Sequence, residues 1–72
     1  MIYILAVSHK AAKRWAEAHQ LHEKEWFTTL DPDDLKMFQN FHVIVTESAS
    51  ELSPGFFEKI YRLAQIRGRI GR

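Results

Sequence analysis

Apolar positions fall in three short runs, separated by segments with a helical period. Ile2 to Val7 (IYILAV) is continuous, β-rich and apolar, the pattern of a strand buried on both faces. Ser8 follows at once and is placed to cap a helix. From His9 to about Gln20, Ala12, Trp15, Ala16 and His19 recur at the spacing of one helical face, with Ala11 and Ala18 beside them. Lys10, Lys13, Arg14 and Glu17 lie largely opposite. The alanines permit a close approach to a sheet, and Trp15 supplies a large anchor.

Leu21 to Glu25 reads as a connection, and Trp26 to Leu30 (WFTTL) as a shorter, more mixed strand of edge type. Asp31-Pro32-Asp33-Asp34 is a helix start: Asp31 caps, Pro32 occupies the first turn, and two carboxylates face its positive end. Leu35, Met37 and Phe38 give that short helix an apolar side, and Asn40 ends it. Phe41 to Thr46 (FHVIVT) is the third strand. A polar connection over residues 47–52 leads to Ser53-Pro54, a second cap-then-proline start. Phe57, Ile60, Tyr61 and Ala64 form the stripe of the last helix, with Phe56 and Leu63 widening it and Gly68 stopping it.

The order βαβαβα predicts an α/β fold, a three-stranded parallel sheet with helices on both faces. The two most apolar strands, first and third, belong side by side, so spatial order 2-1-3 is favoured over 2-3-1. One domain over residues 1–68 and a loose basic tail over 69–72 are expected. In the 2-1-3 order the third strand is an apolar edge, which predicts pairing with a second copy and hence a homodimer.

Composition sharpens this. A chain of 72 residues buries only about 60% of the surface it exposes unfolded. Such domains lean on disulfides, metals or partners. With no cysteine, disulfides and thiolate metal sites are excluded, which favours a partner. No apolar run approaches the ~20 residues that span a bilayer, and the first residues lack a signal-peptide pattern. A soluble, cytoplasmic protein without membrane contact is the expectation.

The net charge of +1 hides an uneven distribution: residues 1–20 carry +2, 21–53 carry −5 and 54–72 carry +4. Lys59, Arg62, Arg67, Arg69 and Arg72 are the candidate contacts to nucleic-acid phosphates. The acidic middle opposes such binding, and no helix-turn-helix order or RNP-like strand is present.

The junction Val7-Ser8-His9-Lys10 raises the question of a phosphate cradle. It contains no glycine, and no glycine precedes Gly55, so neither a Walker nor a dinucleotide loop is present. In open α/β sheets, ligands settle beyond the carboxyl ends of strands where the order reverses. Here that crevice lies between Ser8, His9, Lys10 and Thr46, Glu47, Ser48, a set able to hold a small anion. The preferred reading is plainer: Ser8 caps, Thr46 and Ser48 are turn residues, and Lys10 is solvated. His19 and His22, with Glu23 adjacent, form an incomplete metal-ligand set. No catalytic residue, metal site or cofactor is assigned: a GxSxG elbow is missing, and a His9–Glu47 dyad has no visible oxyanion arrangement. The chain is read as non-enzymatic.

The stretch YILAVSHKAAKRWAEAHQL, followed by Trp26, resembles small accessory proteins of tailed bacteriophages. Such proteins open with a short apolar strand and a helix carrying an A..WA core, matched by Ala12, Trp15 and Ala16. A leucine, a polar gap and an aromatic strand follow, as Leu21 and Trp26-Phe27 do, and a late helix ends in Arg-Gly, as Arg67-Gly68 does. Where they commonly place glycine, this chain has Val7 or Ser8, and Gln20. The resemblance implies a viral accessory role inside a bacterial host and carries over no activity and no functional residues. The leading expectation is a homodimeric protein-interaction module with a host protein partner; the alternative is a nucleic-acid-binding accessory protein using the basic C-terminal helix.

Overall fold

Strand β1 (Ile2–Leu5) runs through the middle of the sheet because its alternate residues are apolar on both sides. The computed structural model describes residues 1–71, with side chains through residue 66. Strand β2 (Trp26–Phe27) pairs with one edge of β1 and strand β3 (Phe41–Val45) with the other, both parallel. The register sets Ile2 beside Trp26 on one side and His42 on the other. The expected α/β class and 2-1-3 order are observed, and 2-3-1 is not.

Helix α1 (His9–Ala18) follows β1, helix α2 (Pro32–Leu35) follows β2, and helix α3 (Pro54–Arg67) follows β3. Alternation along β1 sorts them onto two faces. Tyr3 and Leu5 join Phe41, Val43, Leu35, Ile60 and Ala64 in one buried cluster beneath α2 and α3. Ile4 and Ala6 join Ala12 and Ala16 in a second, smaller cluster beneath α1. The first is aromatic: the Tyr3 ring stacks on Phe27 at 5.1 Å and meets Phe41 edge-on at 5.8 Å, while Phe38 stacks on Phe27 at 4.2 Å. Such pairs stabilise beyond the area they bury. The Tyr3 hydroxyl donates to the Thr29 carbonyl at 2.8 Å, and burial pushes its phenol well above the ordinary tyrosine range.

Local chemistry sets the helix ends. Ser8 Oγ accepts from the Ala11 amide at 3.1 Å, and Asp31 Oδ1 accepts from the Asp33 amide at 2.9 Å, two of the three expected caps; at Ser53 the backbone carbonyl accepts from the Phe57 amide at 2.9 Å. At the end of α1, the Leu21 amide donates to the Ala16 carbonyl and the Gln20 amide to that of Glu17. This is a Schellman closure, and it holds Gln20 at φ 58°. A side chain there costs about 1 kcal/mol relative to glycine.

Three expectations change. β2 stops at Phe27 rather than Leu30 because side chains replace the ladder: Thr28 Oγ1 donates to the Ile4 carbonyl at 2.7 Å. Met37 is 80% exposed, because the helical turn closes at Leu35 and only Phe38 returns to the core. The third change concerns the edge of β3. A fourth strand, β4 (Gly68–Gly71), pairs with it in parallel, Phe41 beside Gly68 and Ile44 beside Gly71. The segment expected as a loose tail thus supplies the partner for β3, and the apolar edge proposed for dimer pairing is occupied by the chain itself. An unpaired apolar edge is costly, and α3 returns the chain to the start of β3, where a parallel strand begins. Arg72 lies outside the described residues.

Candidate functional site

The ends of β1 and β3 are joined by a chain of hydroxyls. The Val7 amide donates to Ser48 Oγ at 3.2 Å. Thr46 Oγ1 lies 3.0 Å from Ser48 Oγ and donates to the Leu5 carbonyl at 3.0 Å. A hydroxyl has one proton. Thr46 spends its proton on Leu5, so Ser48 must donate to Thr46. The order is therefore Val7 N–H to Ser48 to Thr46 to Leu5 C=O, each bond polarising the next. Both hydroxyl protons are consumed, and neither Thr46 nor Ser48 can donate to an anion.

Above this chain lies an open cleft of about 810 Å³. It forms where α1 and the polypeptide after β3 leave the sheet on different sides, the strand-order reversal expected from the sequence. Ser8, Lys10, Thr46, Glu47 and Ser48 all line it. His9 does not: its ring lies 5.8 Å from that of Trp26, toward β2. A residue adjacent to Lys10 on a helix points about a quarter-turn away. Arg14 and Glu51 also line the cleft, and both were detectable in the sequence. Arg14 is one turn beyond Lys10 on α1, and Glu51 lies at the far end of the 3₁₀ turn that Glu47 opens.

The walls carry opposite charge. Lys10 and Arg14 stand on α1, Glu47 and Glu51 on the 3₁₀ turn, and all four side chains are exposed. No ion pair joins the walls among the described residues. Trp15 closes one side, its ring stacked at 3.7 Å on His19.

The histidines near the end of α1 serve local structure. His19 Nδ1 donates to the Trp15 carbonyl at 2.8 Å. His22 Nδ1 accepts from the Lys24 amide at 3.4 Å, and its own amide donates to Glu25 at 2.9 Å.

A second groove, about 530 Å³, runs between α2 and α3. Lys59 and Arg62, two of the candidate phosphate contacts, line it together with Lys36, but so do Asp33 and Glu58. Arg62 donates to Glu58 Oε1 at 2.7 Å, and Lys36 lies 3.5 Å from Asp33. Leu63 and Ile66 supply apolar lining, Ile66 being 80% exposed. The backbone places Arg67 at the end of α3 and Arg69 in β4; their side chains, like Arg72 as a whole, lie outside the described residues. Among the described residues, no helix is long and apolar enough to cross a membrane.

No family model matches the chain, and no curated protein or solved structure is significantly similar to it.

Proposed function

We propose that the protein is a non-enzymatic interaction module that docks a protein partner in the groove between α2 and α3. The observation that carries this reading is Ile66, 80% exposed at the end of a helix whose Phe56, Phe57, Ile60, Leu63 and Ala64 pack on the core. An apolar centre with a charged rim is the anatomy of a protein interface. Asp33 and Glu58 are already engaged by Lys36 and Arg62, which leaves Lys59 to set the sign of the rim. The complementary partner segment is apolar with an acidic residue. The likeness of residues 1–26 to phage accessory proteins supports a bacterial host protein as that partner and the host cytoplasm as the compartment.

Nucleic-acid binding through Lys59, Arg62, Arg67, Arg69 and Arg72 is the alternative, and the two carboxylates in the same groove weigh against it. The test compares wild type with Ile66→Asp in affinity capture from bacterial lysate, beside titrations with single- and double-stranded DNA at several salt concentrations. The expected outcome is a protein captured by wild type and lost by the variant, with the melting temperature unchanged. Equal capture by both, or salt-dependent DNA binding by both without protein capture, contradicts the proposal.

A further inference from the structure

Among the described residues, helix α1 packs over the β1 and β2 side of its face of the sheet, and no β3 residue joins its cluster. It packs over Ile2, Ile4 and Ala6 of the β1 segment and against Trp26 of β2. On the same face of β3, His42 is exposed and Ile44 half-buried. The β3 side adjoins the strand-end cleft, where Trp15 and Ala11 are also half-buried. Beside Trp15 and Ala11 in the cleft stand two cations, Lys10 and Arg14, and two carboxylates, Glu47 and Glu51, with no ion pair joining them among the described residues.

We infer that this β3 side of the face docks a second copy of the chain about a two-fold axis, with Lys10 and Arg14 of each protomer against Glu47 and Glu51 of its partner. A two-fold interface brings one patch against itself, so a patch can complement itself only if it carries both signs on opposite sides of its axis. This patch does. The two walls are held apart by the cleft within one chain, and apposition of two copies satisfies both at once. Half-buried Trp15 is the residue type that anchors such contacts. β3 pairs with β4 inside the chain, so this association proceeds through a sheet face and needs no strand pairing between protomers. It is independent of the α2–α3 groove, which remains open in the dimer.

The experiment is sedimentation equilibrium over a hundredfold concentration range, on wild type and two double variants, Lys10→Glu/Arg14→Glu and Glu47→Lys/Glu51→Lys. All four side chains are exposed, so the variants are expected to fold, which circular dichroism melts check. Wild type is expected to reach the mass of two chains, and to dissociate at least tenfold more readily in 0.5 M salt, because rim charges are screened. Each double variant, with one sign on both walls, is expected to remain a single chain. An equimolar mixture of the two is expected to regain the mass of two chains, because each again meets its opposite. A wild-type mass of one chain at every concentration overturns the inference, as does a dimer that survives either reversal. A mixture of folded variants that stays monomeric overturns it as well.

Discussion

The two faces of the sheet are built from different materials. Beneath α2 and α3, Tyr3, Phe27, Phe38 and Phe41 form one connected group of rings, roofed by Ile60 and Leu35. Beneath α1, the helix contributes Ala12 and Ala16, and the large rings Trp15 and Trp26 sit at the margin. Buried apolar area stabilises roughly in proportion to its extent, so the aromatic face dominates the stability of the fold. The alanine face lets α1 lie close and narrow, and on the β3 side of that face Ile44 is half-buried and His42 exposed. One face holds the domain together, and the other is packed more lightly.

The sharpest way to break this comparison is to empty each face in turn. Phe41→Ala removes a ring that is 2% exposed and touches both Tyr3 and Phe27. Its expected cost is about 3–5 kcal/mol, enough to unfold much of so small a domain. Trp15→Ala, at the margin of the other face, is expected to cost about 1–2 kcal/mol, because the ring is only half-buried. Urea melts of the two variants measure the difference; equal losses would mean that the faces share the stability evenly.

A smaller effect sharpens the same contrast. Tyr3 is buried with its phenol held protonated above the ordinary value near 10. The folded state therefore binds this proton more tightly than the unfolded chain does. Its contribution is complete below about pH 10 and is lost as pH rises from there toward the folded value. Tyr3→Phe is expected to lose about 1 kcal/mol at neutral pH, the worth of the hydrogen bond to Thr29, and to show a shallower decline in stability above pH 10. Chemical denaturation between pH 7 and 11 reads both.

Much of the fold was legible in the sequence because local chemistry and long-range packing agree there. Ile2 to Val7 is apolar on both faces, Ser8 and Asp31 cap where they stand, and adjacency of the two most apolar strands sets the order. The strand-end crevice followed from that order, and five of its six expected residues line it. The disagreements arise where tertiary context decides. GRIG has two glycines and no strand pattern; it becomes β4 because β3 offers an open edge. Thr28 ends β2 through its side chain, which no periodicity reveals. His9 was grouped with Lys10 by adjacency in sequence, whereas the helix turns the two apart. Arg14 and Glu51 were missed although they lie four residues from Lys10 and Glu47.

The unequal covering of the two faces is tested most directly on adjacent residues of β3. Val43 points into the aromatic cluster and is fully buried, while Ile44 points to the opposite face and is half-buried. In the Lys10→Glu/Arg14→Glu variant, which the proposed dimer requires to be a single chain, a neutral soluble paramagnetic chelate should strongly relax the Ile44 methyl resonances and leave those of Val43 untouched. Equal protection of both residues would contradict the account.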